Sequence, residues 1–179
     1  AAEECSNTGT VQKHVETATY GSLFDVVVLT NSGLFDVTSG LLILGDGSLG
    51  SSTTPTITNT GTIQGGPGTM IAVTGNLTSS GNILGDVMSL QGLSNVSGSF
   101  TANTTVIANT ATFTGSVHGF GDLNVTGTLD VVAATLDPSD LSSLKLSGTL
   151  ITDEELTVSG AFNWNGGTLR GVGGQGSLI

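Results

Sequence analysis

The chain has 179 residues, 28 of them Gly, with 14 acids against Lys13, Lys145 and Arg170 and a net charge of −11. Three scattered cations exclude a surface that displaces counterions from nucleic-acid phosphates, and equally a basic patch for anionic lipid. Mean hydropathy of +0.28 argues against a disordered Gly/Ser/Thr linker, and no apolar run reaches the roughly 18–20 residues of a transmembrane helix.

Taken in order, Ala1-Ala2-Glu3-Glu4 is compatible with a mature end left by cleavage at small residues, so a secreted or cell-surface protein is expected. Residues 1–22 carry the motif that marks the rest only once, at Thr8-Gly9-Thr10-Val11, and hold early charge in Gln12-Lys13-His14-Val15-Glu16, which predicts an N-terminal cap or assembly segment. Cys5 is the single cysteine. It is either an incidental thiol or the half of an intermolecular disulfide.

From there a small hydroxyl residue, Gly, any residue and an apolar one recur. Examples are Ser32-Gly33-Leu34-Phe35, Thr60-Gly61-Thr62-Ile63, Ser80-Gly81-Asn82-Ile83, Ser97-Gly98-Ser99-Phe100, Thr114-Gly115-Ser116-Val117 and Ser147-Gly148-Thr149-Leu150. Leu123-Asn124-Val125-Thr126-Gly127-Thr128-Leu129-Asp130 shows the unit whole: strand, corner, strand, with alternate residues apolar. Gly supplies the positive φ of a tight corner, the hydroxyl bonds local backbone, and the apolar residue enters an interior. The fold predicted over 23–179 is an all-β, single-domain, right-handed parallel β-helix (a β-solenoid). About 20 residues per coil would give roughly eight or nine coils. Asp137-Pro138 followed by Leu141 and Leu144 three apart predicts a short helical insertion near 137–145.

Chemistry is sparse. His14 and His118 stand far apart, and no His-x-x-x-His or Cys-x-x-Cys spacing occurs, so neither a zinc site nor another resident cofactor is expected. His118 reads as a solvent-facing corner residue. Leu23-Phe24-Asp25-Val26 and Leu34-Phe35-Asp36-Val37 would stack two carboxylates if they occupied successive coils; structural repetition is the simpler account, against a glycosidase couple. Gly45-Asp46-Gly47-Ser48 and Gly119-Phe120-Gly121-Asp122 are fragments of a calcium-binding nonapeptide, neither complete nor in tandem. Asp153-Glu154-Glu155 reads as a solvated loop. Four sequons begin at Asn76, Asn95, Asn103 and Asn124. Threonines alternate from Thr54 to Thr62; such an array over several coils would suggest ice binding, whereas one stretch is an ordinary strand exterior. Trp164 alternates with Phe162 in the manner of core residues. No catalytic residue is assigned, and the chain is not expected to be an enzyme.

Around Leu156-Thr157-Val158-Ser159-Gly160-Ala161-Phe162-Asn163-Trp164 and Gly166-Gly167-Thr168-Leu169 the sequence resembles the repeats of bacterial surface β-helices, namely autotransporter passengers and filamentous-haemagglutinin-type adhesins. That resemblance implies secretion and a role in adhesion or as an extracellular scaffold. The expected function is a secreted structural solenoid forming a fibre, surface layer or adhesin stalk by self-association. The apolar Leu178 and Ile179 are the expected stacking end, and Cys5 a candidate lock. The alternative is a glycan-binding or polysaccharide-degrading module with surface glycans as partners.

Overall fold

The computed structural model describes residues 4–14, 22–24, 27–45, 54–137 and 141–172 and the backbone of 177–178. Among these the chain is all β, without a helix. Short strands bounded by Gly, Ser, Thr and Asn stack in parallel on the strands of the next coil, forming three ladders. Apolar side chains at alternate positions face a common interior.

The first ladder holds nine strands: Glu4–Asn7, Val28–Asn31, Thr56–Asn59, Asn76–Ser79, Ser94–Val96, Thr110–Phe113, Thr128–Asp130, Thr149–Ile151 and Thr168–Arg170. Its inward column runs Cys5, Leu29, Ile57, Leu77, Ser94, Ala111, Leu129, Leu150 and Leu169, without a register shift. The second and third ladders form one thirteen-stranded sheet, because Asn82–Leu90 and Ser99–Ile107 each run through both. The core is a continuous stack of Leu, Ile, Val and Phe. At its centre Phe113 packs edge-on against Phe100 and Phe120, with ring centroids 5.0 and 5.2 Å apart.

The solenoid has about seven turns, not eight or nine. The second ladder is continuous through seven strands, from Thr10–Lys13 to Thr135–Leu136. At the next level Glu155–Leu156 leaves it and pairs instead with Ser177–Leu178. Coils are less even than a uniform repeat: successive first-ladder partners lie as far apart as Leu29 and Ile57, or as close as Leu77 and Ser94.

Within the segment expected as a cap or assembly segment, Glu4–Asn7 and Thr10–Lys13 are strands of the first turn, paired with Val28–Asn31 and Leu34–Val37. The Lys13 stem is buried and its ammonium donates to the Ser39 carbonyl at 2.8 Å. The helix foreseen near 137–145 is, over Leu141–Leu146, a strand of the third ladder; residues 138–140 lie outside the described ones. A register shift sets Gly121 opposite Leu141 but Asp122 opposite Ser143. This bulge turns both Leu141 and Leu144 inward and so imitates helical spacing.

Most corner glycines have a different cause from the one expected, which holds at Gly40 and Gly167. Left-handed φ occurs at Gly40, Gly45, Gly68, Gly121, Gly166 and Gly167, but not at Gly33, Gly61, Gly81, Gly98, Gly115, Gly127 or Gly148. At these seven a Cβ would collide with a backbone carbonyl of the coil below: Gly9 under Gly33, Gly33 under Gly61, Gly61 under Gly81, and so on. The motif therefore marks where two coils come closest.

Beside it runs a buried amide ladder. Asn7 Nδ2 donates to Asn31 Oδ1 at 2.8 Å, Asn31 Nδ2 to Asn59 Oδ1 at 2.7 Å, and Asn59 Nδ2 to Ser79 Oγ at 3.0 Å. Each of these amides also reaches a backbone carbonyl, of Leu34, Thr62 and Asn82 respectively. Polar groups in the interior are thereby satisfied coil by coil.

Candidate functional site

The outward carboxylates act as rungs between coils. Asp36 lies between Gln12 and Gln64 and accepts from both Nε2 groups at 2.9 Å. Asp122 accepts from the Ser143 hydroxyl at 2.7 Å. Asp86 accepts from Asn103 Nδ2 at 2.9 Å and from the Gly68 amide at 2.6 Å, and these two bonds hold its carboxyl below the usual range. The two Leu-Phe-Asp phrases do not stack: Leu23-Phe24 belongs to the third ladder and Leu34-Phe35 to the second, and Asp25 lies outside the described residues.

His14 is exposed, its Nδ1 3.0 Å from Thr38 Oγ1. His118 is exposed on the strand Ser116–Gly119 and shares a shallow hollow of about 370 Å³ with Ser116, Thr135 and Asp137. Asp46, Gly47 and Ser48 lie outside the described residues, while in the other calcium-like fragment Phe120 is buried in the core. Among the described residues no three or more His, Cys, Asp or Glu group together, and no helix is long and apolar enough to cross a membrane.

The threonine stretch turns out to be part of a larger array. Thr30, Thr58, Thr78, Asn95 and Thr112 form one outward column of the first ladder. Thr56 and Asn76 follow Val28 in a second, which Leu93 interrupts before Thr110, Thr128, Thr149 and Thr168. From the level of Thr30 to that of Thr112 neither column holds a charge; Asp130 follows Thr112 in the first.

The two ends carry the other marked features. At the first turn a hollow of about 290 Å³ opens between apolar Val11, Phe24, Phe35 and Leu42 and polar or charged residues that include Gln12, His14 and Asp36. Cys5 there is a free, half-buried thiol packed against the core. At the last turn Phe162 stacks on Leu144 and Trp164 on Leu146. Both leucines are fully buried, whereas Phe162 is 37% and Trp164 54% exposed. The reading of these two as core residues is thus right for their direction and wrong for their burial: no coil covers them among the described residues. Their rings lie 5.9 Å apart. Of the expected stacking end, the Leu178 backbone pairs with Leu156, and Ile179 lies outside the described residues.

Compared with protein families, curated proteins and solved structures, the chain finds no match in any of the three.

Proposed function

We propose that this chain is a secreted structural β-solenoid, in the manner of bacterial surface β-helices, which associates end to end into a fibre, surface layer or adhesin stalk. One observation carries the reading: Phe162 and Trp164 continue two buried columns beyond the last covered turn and stand exposed. Exposed aromatics set in line with a core resemble the centre of an interface. The strand edges beside them, and those of Glu4–Asn7 at the opposite end, have no further partner among the described residues, and open edges recruit strands. Secretion is supported by composition alone. Negative-stain electron microscopy of the concentrated protein in reductant tests the association. Thin filaments are expected, and uniform short rods at every concentration would overturn it.

The uncharged Thr/Asn columns favour a second reading, attachment through the first ladder to an ordered array of hydroxyls. Outward residues repeat at roughly 6.6 Å along a strand and about 4.8 Å between strands, a grid of methyl and hydroxyl groups suited to ice or a crystalline polysaccharide. Thermal hysteresis and polysaccharide pull-down separate these surfaces, and inactivity in both removes the reading.

A further inference from the structure

Resting on the second reading above, we infer that the outward face of the first ladder binds ice, through the five levels from Val28 and Thr30 to Thr110 and Thr112. The partner is the crystal of water itself. Each of these levels has a coil on either side, so the face lies within the solenoid and away from its ends.

Hydroxyls in this stretch fall into two groups. Those at the corners are consumed by the fold: Ser32 Oγ donates to the Asn7 carbonyl at 3.3 Å, Thr60 Oγ1 to that of Asn31 at 3.4 Å, and Ser97 Oγ to that of Ser79 at 3.3 Å. The hydroxyls of Thr30, Thr56, Thr58, Thr78, Thr110 and Thr112 bond no protein group among the described residues. They are left for an outside partner. Branching at Cβ restricts each threonine to few rotamers, and the ladder has no register shift here, so the same group recurs at the same place on successive coils.

The spacing selects the partner. Water oxygens hydrogen-bond at about 2.75 Å, so second neighbours in a tetrahedral lattice lie about 4.5 Å apart and its layers repeat at about 7.3 Å. The face offers about 4.8 Å between coils and about 6.6 Å along a strand. Over five levels the first mismatch accumulates to about 1.2 Å, and the second is about 0.7 Å per row. Both are within the swing of a Cβ–Oγ bond. Sugar rings, by contrast, are gripped by stacking on aromatic side chains, and neither column holds one.

Charge agrees. The chain has 14 acids, yet none stands on these levels, and the first is Asp130 on the level after Thr112. An ion turns nearby waters toward itself and breaks a shared lattice. Threonine instead sets a methyl, which water cages, beside a hydroxyl that joins the cage. Only the Leu93 and Asn95 level lacks a threonine, and Leu93 stands 49% exposed there. The net is thus incomplete at one rung.

The test is thermal hysteresis and partition of the chain into slowly grown ice, with cellulose and chitin pull-down alongside and far-UV melting to verify that each variant is folded. Wild type should shape ice crystals and enter the ice. Thr78→Lys should lower hysteresis about tenfold, because an ammonium keeps its own hydration. Asn82→Lys, exposed on the second ladder, should leave it unchanged. Leu93→Thr combined with Asn95→Thr completes the net and should raise hysteresis severalfold at equal concentration. Ice binding that ignores Thr78→Lys, or that falls equally with Asn82→Lys, overturns the first ladder as the ice face. A folded double variant no better than wild type overturns the lattice match. Exclusion from ice with retention on a polysaccharide overturns the ice inference and leaves attachment through the first ladder standing. Failure on ice and on both polysaccharides overturns the two together.

Discussion

Replacing Gly81 with Ala probes the reason for the repeated glycine. A Cβ at this position meets the Gly61 carbonyl oxygen far inside the 3.0 Å that real Cβ contacts respect. Relief requires the two coils to part locally by about 1 Å, which takes neighbouring ladder bonds beyond the usual limit of about 3.2 Å. Three are at stake: Ser80 N–H and Gly81 N–H to the Asn59 carbonyl at 2.9 and 3.1 Å, and Asn82 N–H to the Gly61 carbonyl at 2.8 Å. At about 1 kcal/mol each the loss is about 3 kcal/mol, a fall of roughly 6–12 °C in Tm for a chain of this size. Gly9 is the internal control. It carries the same motif, but an added Cβ finds nothing within 4 Å because it sits on the first turn. Gly9→Ala should therefore be neutral or raise stability by up to about 1 kcal/mol through the unfolded chain. Thermal melting followed by far-UV circular dichroism reads both. Equal losses at the two positions would refute coil contact and restore a conformational role for the glycine.

Ser94 is 2% exposed and its Oγ has no hydrogen-bond partner, so Ser94→Ala should stabilise by about 1 kcal/mol in urea unfolding. Asn31 is fully buried and donates to Asn59 Oδ1 and the Thr62 carbonyl. Asn31→Asp sets a carboxylate against two acceptors and should cost about 3 kcal/mol or more at neutral pH, with partial recovery on acidification as the acid regains a donor. Asp86 has its pKa lowered by Asn103 and by the Gly68 amide. A depressed folded-state pKa contributes stability above the unfolded carboxylate value, and that contribution disappears as pH falls through the folded one. Asp86→Asn should therefore melt lower than wild type at pH 7, with the gap closing in acid; a gap independent of pH would contradict this assignment.

The architecture was legible because its local signals agree: turn residues at short intervals, alternation over four to six residues, and an apolar residue after each corner. What the sequence concealed is set by distance along the chain. The Thr30, Thr58, Thr78 and Thr112 column joins residues at unequal spacing, so no fixed period exposes it. The Leu141–Leu144 pair deceived because a one-residue bulge gives a strand the spacing of a helix turn. Trp164 alternates like a core residue because it does face the interior; whether another coil lies over it is written nowhere near it. The Gln12–Asp36–Gln64 rungs were hidden in the same way, since each partner belongs to a different turn.

Trp164 is the only tryptophan and stands 54% exposed on the last strand of the third ladder, so its emission reports end-to-end association directly. A concentration series in reductant, read for emission maximum and acrylamide quenching, should show a blue shift and falling quencher access as particles lengthen, because the indole becomes covered by the next copy. An emission maximum and quenching rate that stay those of a half-exposed indole while particles grow would contradict it.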